Sequence, residues 1–253
     1  MDKEPQPITN IRKPAVDGRF YPAQRDALTK TVSHYLRLAH VQELGCVRAV
    51  ITPHAGYACS GSVAAHNFRA LRSARDTTYT VVLIGPAHWI SIDGIALTRA
   101  THFATPLGVV EVDVDVCNRL LALGLPFHID DDAHRLEHAL EVQLPFLQAV
   151  LPSFRIVPLL IREAQWSARL VEALGPIVTH NLSALIVVSS DLSHYLEYSN
   201  AQSRDKAFLR AVVAGDISAA RRGEACGLPG IIALMKLARQ QEWTAHLLAY
   251  TTS

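Results

Sequence analysis

The chain has 253 residues, of which 49% are hydrophobic and 19% are charged, and its 24 basic and 23 acidic side chains leave a net charge of +1. This apolar content is typical of a large folded core and excludes an intrinsically disordered chain. The balanced charge gives no sign of a nucleic-acid-binding surface. No apolar run reaches the roughly 18 residues of a membrane span, and the charged start lacks the apolar core of a signal peptide, so we expect a cytoplasmic protein with no membrane partner.

Strand-like and helix-like segments alternate along the chain. Residues 1–10 are polar and predict a flexible N-terminal arm, and residues 11–253 predict one domain. Apolar, β-branched runs predict buried strands, and two alternating segments predict a hairpin. The predicted strands are residues 47–52, 79–84, 155–161 and 184–190, the hairpin segments are 94–98 and 107–112, and a final strand is 244–250.

Helical periodicity fills the intervals between these strands. Within the passage from residue 130 to 150, Pro145 should kink or restart the helix. The alternation predicts an α/β fold with αβα layers around a mixed, mostly parallel sheet. The predicted helices are residues 24–39, 60–74, 114–123, 130–150, 166–178, 200–213 and 228–241.

Three of the predicted strands are followed by a histidine. His54 and His88 follow the first two, and His194 follows the third, three residues after Asp191. In parallel sheets ligands bind beyond the carboxyl ends of the strands, so we expect one shared site. Asp191 is suited to orienting His194 as an acid–base pair, and equally to capping the next helix. A lone His54 would more often bind a loop carbonyl; the second histidine favours a metal site.

The four cysteines form no CxxC pair and show no spacing of a disulfide framework, so we expect free thiols. Cys46, Cys59 and Cys117 are interpreted as small hydrophobic residues. Cys226 follows two arginines and precedes a predicted helix, and both features favour the metal-binding thiolate. A small buried hydrophobe stays an open alternative for Cys226.

Residues 134–138 spell H-x-x-E-H, a zinc-protease helix motif. On a helix, His134 and His138 would share one face and Glu137 could act as a base. No later acidic residue makes an obvious third ligand, so the protease hypothesis is a rival to the strand-end site.

Taken together, these motifs resemble the Memo family, whose prokaryotic members are called AmmeMemoRadiSam system protein B. The start of the chain, residues 12–22, also resembles that family, which usually carries a further glycine-rich turn and strand after the position of Thr251. The ordered motifs are residues 53–57 (PHAGY), 85–88 (GPAH), 105–108 (TPLG), 137–141 (EHALE), 189–194 (SSDLSH) and 226–227 (CG).

The family resembles class III extradiol dioxygenases, which are non-haem iron enzymes, in fold and in the location of the site. The resemblance implies His54, His88 and Cys226 as metal ligands and His194, with Asp191 beside it, as the acid–base residue. The family pattern omits His134, which weakens the protease hypothesis. The predicted substrate pocket consists of Phe20, Tyr21, Tyr57, Glu137, His138 and Glu141.

The leading hypothesis is a metal-binding oxidoreductase of unknown substrate with iron, or else copper, as its metal. Cys226 would supply a thiolate where oxygen-activating iron sites commonly have a carboxylate. The similarity in fold therefore does not by itself imply dioxygenase activity. A metal-dependent hydrolase at the same site, for which zinc is a possible metal, and a non-enzymatic, peptide-binding adaptor are the alternatives. The ligand would be a small molecule or a peptide, and the family name implies functional association with radical-SAM and AMMECR-type proteins.

Overall fold

The computed structural model of the protein describes residues 10–71 and 77–252. The predicted N-terminal arm, apart from residue 10, and the end of the helix predicted at residues 60–74 lie outside these residues. The described strands are β1 (Ile11–Arg12), β2 (Ala49–Thr52), β3 (Thr78–Gly85), β4 (Ile95–Leu97), β5 (His102–Thr105), β6 (Gly108–Val112), β7 (Phe127–Ile129), β8 (Ser153–Ile161) and β9 (Ala184–Ser189). The described helices are α1 (Arg25–Leu38), α2 (Tyr57–Ala70), α3 (Val114–Ala122), α4 (Asp131–Arg135), α5 (Leu144–Val150), α6 (Ser167–His180), α7 (Tyr198–Val213), α8 (Ile217–Ala220) and α9 (Leu228–Gln240).

The strands form one mixed sheet in the order β1-β5-β6-β8-β3-β9-β2. Along this path only β5 and β6 are antiparallel. Strand β4 pairs with β8 in the antiparallel sense and with β7 in the parallel sense. The prediction of a single α/β domain with a mixed, mostly parallel sheet is confirmed.

Helices and loops cover both faces of the central strands. Val81, Val82, Leu83 and Ile84 of β3 are all at most 1% exposed, which explains why the run shows no polar alternation. Gly230 of α9 packs against the side chain of Ile84 on one face. The next residue of β3 is Gly85, which faces the opposite side of the sheet, and there the chain packs closely against Leu140.

The predicted hairpin was wrong in its first strand. The antiparallel partner of β6 is β5, whereas β4 leaves the hairpin and pairs with β8 and β7. The turn forms at residues 105–108, where Gly108 adopts a φ of +137° that L side chains rarely adopt. Thr105 Oγ1 donates to the Gly108 carbonyl and closes this turn.

The predicted helix at residues 130–150 consists of three separate pieces. Asp130 caps α4, which ends at Arg135, and a 3-10 turn over Glu141–Gln143 precedes α5. Pro145 lies in the first turn of α5, where its missing N–H costs no hydrogen bond, so the predicted restart is confirmed. Residues 136–140, between α4 and the 3-10 turn, are therefore free to form a loop.

The last predicted strand, residues 244–250, is also wrong, since this segment joins no ladder among the described strands. In the part of the chain that the structure describes, no helix is long and apolar enough to cross a membrane.

Candidate metal centre

The three strands that precede the predicted site histidines are neighbours in the sheet, in the order β3-β9-β2. Their carboxyl ends therefore bring His54 and His88 together, and the loop after α4 adds His138. The ring centroids are 5.1 Å apart for His54 and His88, 5.3 Å for His54 and His138, and 4.7 Å for His88 and His138. One ligand atom from each of the three lies within 4.8 Å of the others, so this group is suited to holding a metal ion.

The hydroxyl of Ser189, the last residue of β9, fixes the tautomer of His54. Ser189 Oγ donates its single proton to the Ala139 carbonyl at 2.6 Å and accepts from Gln143 Nε2 at 2.8 Å. It can therefore only accept from His54 Nδ1, which lies 2.8 Å away. In neutral His54, Nδ1 carries the proton and Nε2 keeps its lone pair for a metal.

Glu137 holds the Nδ1 proton of His88 in the same way. Its Oε1 lies 2.8 Å from His88 Nδ1, and its Oε2 accepts the His88 backbone N–H at 2.6 Å. Since a carboxylate accepts, Nδ1 of His88 is protonated, and Nε2 is the nitrogen that can bind a metal once its own proton is displaced. Burial would raise the pKa of Glu137, but these bonds to His88 lower it, so the carboxylate is ionised.

His138 is held differently. Its Nδ1 is buried and lies 3.3 Å from Glu137 Oε1, yet within the described residues it has no hydrogen-bond partner. Burial lowers the pKa of His138 to about 4 despite the attraction of Glu137, so the ring is neutral at pH 7. A neutral, half-buried imidazole with a nitrogen that lacks a partner among the described residues is a competent metal ligand.

Cys226 lies beside these rings, at the turn before α9. Its Sγ is 3.4 Å from His54 Nε2 and accepts the Asp191 backbone N–H at 3.1 Å. Burial alone would raise the pKa of this thiol, but hydrogen bonds from His54 and His88 lower it to about 6. The sulfur is therefore a thiolate at neutral pH, the form that binds metal, and the cause is the two histidines and not the arginines named from the sequence.

Asp191 connects the turn of His54 to the more exposed His194. Its Oδ1 accepts the backbone N–H of His54 at 2.7 Å and that of Ala55 at 3.3 Å. Its Oδ2 lies 3.8 Å from the Nε2 atoms of both His54 and His194. The alternative that Asp191 caps the following helix is wrong, because α7 begins only at Tyr198.

The predicted pocket residues separate into two groups. Phe20 packs its ring edge against His138 at 4.9 Å, so it lies beside the histidines. Tyr21, Tyr57 and Glu141 are at most 3% exposed and belong to the packing beneath them, which corrects their prediction as pocket residues. Tyr21 donates its hydroxyl to Glu141, and Tyr57 donates its own to the Val142 carbonyl.

The zinc-protease hypothesis is wrong because α4 ends at Arg135, before Glu137 and His138. His134 points away from the site and bonds the Ala96 carbonyl through Nε2 at 3.0 Å. Without a continuous helix, the two histidines of H-x-x-E-H cannot share one face.

The donor atoms at this site suit a borderline or soft metal. Three imidazoles and a thiolate favour zinc, copper or iron over magnesium or calcium, which prefer oxygen ligands. The residues present therefore fit a transition metal, held by His54 and His88 with Cys226, His138 or both.

Sequence reasoning missed the supporting side chains and the closeness of His138 to the other histidines. Ser189 opens the SSDLSH motif but was given no role there, and Gln143 lies outside the motifs. Their contacts depend on the register of β9 against β2. The signal for His138 was its place beside Glu137, which the helix interpretation of residues 134–138 obscured.

Comparison with known proteins identifies the family of this chain. The model of the Memo-like protein family matches residues 12–253. A MEMO1 family protein of Nitrosopumilus maritimus is 30% identical over 259 residues, covering 96% of this chain and 93% of the relative. One from Aeropyrum pernix is 35% identical over 266 residues with the same coverage, and one from Ignicoccus hospitalis is 37% identical over 216 residues, covering 80% and 75%. The chain belongs to the Memo family.

Proposed function

We propose that the protein is a metal-dependent oxidoreductase with iron, or else copper, as its metal. The observation that carries this proposal is the convergence of His54, His88 and the Cys226 thiolate, with the sulfur 3.4 Å from His54 Nε2. A bound iron or copper ion would supply one-electron chemistry, which zinc does not.

The side chains around the metal would hold it and move protons. Ser189 and Glu137 hold the two Nδ1 protons, so His54 and His88 would present Nε2 to a metal once the metal displaces the proton shared with the Cys226 thiolate. His194 is 45% exposed at its side chain, which lets it exchange protons with solvent. Asp191 Oδ2 lies 3.8 Å from His194 Nε2, and we assign it the role of orienting this ring.

Metal content of anaerobically purified protein tests the proposal. We expect near-stoichiometric iron or copper by mass spectrometry, loss of most of it in His88→Ala and Cys226→Ser, and retention in Cys46→Ser, whose thiol is exposed and remote. Oxygen uptake by the loaded protein would then be measured against candidate reductants. Full iron or copper content in Cys226→Ser would contradict the role given to the thiolate.

A zinc hydrolase is the second candidate, and His138 is the observation that favours it. Three histidines with an open position form a set that activates water on zinc. Both carboxylate oxygens of Glu137 are engaged by His88, so His194 is the better placed base. Stoichiometric zinc that survives Cys226→Ser but not His138→Ala, with cleavage of ester, amide or phosphodiester substrates, would establish this function.

A further inference from the structure

Four buried side-chain polar atoms lack a hydrogen-bond partner in the part of the chain that the structure describes, and all four lie around the candidate metal centre. They are Thr52 Oγ1, His138 Nδ1, Gln143 Oε1 and Ser193 Oγ. His138 is a candidate ligand, and Ser193 precedes His194 in the chain. Thr52 and Gln143 have no such role, and since a buried polar atom without a partner is rare and costly, they require another explanation.

The side chains of Thr52 and Gln143 meet on one face of the sheet. Thr52, the last residue of β2, is the register partner of Ser189, the last residue of β9, so both side chains leave the sheet on the same face. Gln143 Nε2 donates to Ser189 Oγ at 2.8 Å and to the carbonyl of Pro53, the residue after Thr52, at 2.9 Å. Thr52 and Gln143 are both 0% exposed, so their unpaired oxygens are enclosed in the same small region.

The orientation of the Gln143 amide is fixed by its donors. An amide nitrogen has two protons, and Pro53 and Ser189 accept both of them. Exchanging the nitrogen and the oxygen would place Oε1 against the Pro53 carbonyl, where two acceptors would face each other. Oε1 therefore needs a donor, and the Thr52 hydroxyl does not bond it directly.

We propose that one internal water molecule bridges Gln143 Oε1 and Thr52 Oγ1, and that Gln143, held by this water, is a positioning residue for His54. The water donates one proton to the amide oxygen and forms a second hydrogen bond with the hydroxyl, so it satisfies both groups. Neither side chain is charged, which favours a neutral molecule over an ion.

Gln143 acts on His54 through two contacts. It donates to Ser189 Oγ, the atom that accepts the Nδ1 proton of His54, and it donates to the carbonyl of Pro53, the residue before His54. Without the amide, both the ring partner and the turn of His54 would be less restrained, and the ring would be less well placed for a metal. The effect on a metal rests on the proposed metal-binding function, whereas the water does not.

High-resolution crystal structures of the metal-free full chain test the water. The wild type should show a water at about 2.7–3.2 Å from both Thr52 Oγ1 and Gln143 Oε1. Thr52→Val keeps the shape of the side chain without the hydroxyl, so the water should be lost, whereas Thr52→Ser should retain it. A direct bond between Thr52 and Gln143 in the wild type, or no water between them, would overturn the proposal.

Competition for Zn²⁺ with a chromophoric chelator tests the positioning role. Gln143→Leu should weaken Zn²⁺ binding about tenfold, Thr52→Val should weaken it less, and Thr52→Ser should retain wild-type affinity. Gln148→Leu is the matched control, because the Gln148 amide lies on α5 and is bonded to Thr105 instead. Thermal unfolding establishes that each variant is folded, and if Gln143→Leu is not, the Thr52 pair decides.

Equal Zn²⁺ affinity in the wild type and in folded Gln143→Leu would contradict the positioning role. If the wild type binds no Zn²⁺, the proposed metal function fails, and the crystals then decide the role of Gln143. In metal-free Gln143→Leu the His54 ring should lose its bond to Ser189 or adopt a second orientation. An unchanged His54 ring and Pro53 turn in that variant would overturn the assignment without any metal.

Discussion

At the scale of single residues, the chemistry of the site depends on hydrogen bonds to the ring nitrogens that face away from it. Ser189 Oγ donates its one proton to the Ala139 carbonyl and accepts from Gln143. It can therefore only accept a hydrogen bond from His54 Nδ1. Glu137 binds both the ring and the backbone of His88. These contacts hold the two imidazoles ready for a metal before any ion arrives, which lowers the cost of binding.

We predict that Ser189→Ala weakens metal binding about 10- to 100-fold without unfolding the protein, because His54 loses the group that fixes its tautomer. The measurement is competition for Zn²⁺ with a chromophoric chelator. Ser193→Ala is the matched control, since the Ser193 hydroxyl is buried and has no hydrogen-bond partner within the described residues. Equal affinity in Ser189→Ala and wild type would show that the Ser189 bond does not position His54.

We also predict that metal affinity rises with pH. Burial would lower the pKa of His88, but Cys226 and Glu137 raise it to about 10. Burial would raise the pKa of Cys226, but its hydrogen bonds with His54 and His88 lower it to about 6. Between these values an incoming metal must displace the His88 proton, so affinity should rise by up to about tenfold per pH unit. Chelator competition at about pH 6.5, 7.5 and 8.5 measures the slope.

The control for this pH dependence is Glu137→Gln, which removes one of the charges that hold the His88 proton and should flatten the slope. An affinity that does not change with pH in the wild type would contradict the assignment of an imidazolium to His88 in the metal-free protein.

At the scale of elements, a buried ion pair attaches the start of the chain to the loop that carries His138. Arg12 of β1 pairs with Glu141, and it also donates to the carbonyls of His134 and Glu137. Glu141, which is 0% exposed, additionally accepts the backbone N–H groups of Ala15 and Val16. The conformation of this loop therefore depends on Arg12, which lies more than 120 positions earlier in the chain.

We predict that Arg12→Met destabilises the protein by roughly 3–5 kcal/mol, because it leaves the Glu141 carboxylate buried without its counter-charge. Urea unfolding at neutral pH measures the loss. Arg99→Met is the control, since the Arg99–Asp131 pair is 71% and 43% exposed and should contribute about 1 kcal/mol or less. A similar effect of both substitutions would mean that the Arg12–Glu141 pair is not an anchor.

The sequence predicted strands and helices correctly where burial determines the residue pattern. It failed where contacts between residues distant in the chain determine the backbone conformation. The runs that became β3, β8 and β9 are apolar because both faces are covered, so their sequence alone identifies them. Strand β1 has only two residues, and it forms because they pair with the backbone of β5. The passage from 130 to 150 has helical composition, yet Asp130 and Arg12 impose a loop at 136–140.

At the scale of the whole molecule, the sheet order creates the site. His54 and Asp191 are 137 positions apart in sequence, and they meet because β9 lies between β3 and β2. The sequence predicted that strand ends would converge, since it showed three similar runs each followed by a histidine. Only the family resemblance implied that Cys226 would join His54, and the residue pattern alone could not give their 3.4 Å separation, because it depends on how α9 packs over Ile84 and Val188.

Acid sensitivity of the whole fold should depend on His134. Burial lowers its pKa to about 4, from an ordinary value of 6.5, although Nε2–H donates to the Ala96 carbonyl. The unfolded chain therefore binds a proton first, and stability is lost as pH falls from about 6.5 toward 4, by on the order of 3 kcal/mol from this residue.

His134→Gln keeps a donor without titrating, so it should lose less stability over this range in urea unfolding. The control is His180→Gln at an exposed histidine, which should follow the wild type. If His134→Gln and wild type lose stability in parallel between pH 7 and pH 4.5, proton uptake at His134 is not what weakens the fold in acid.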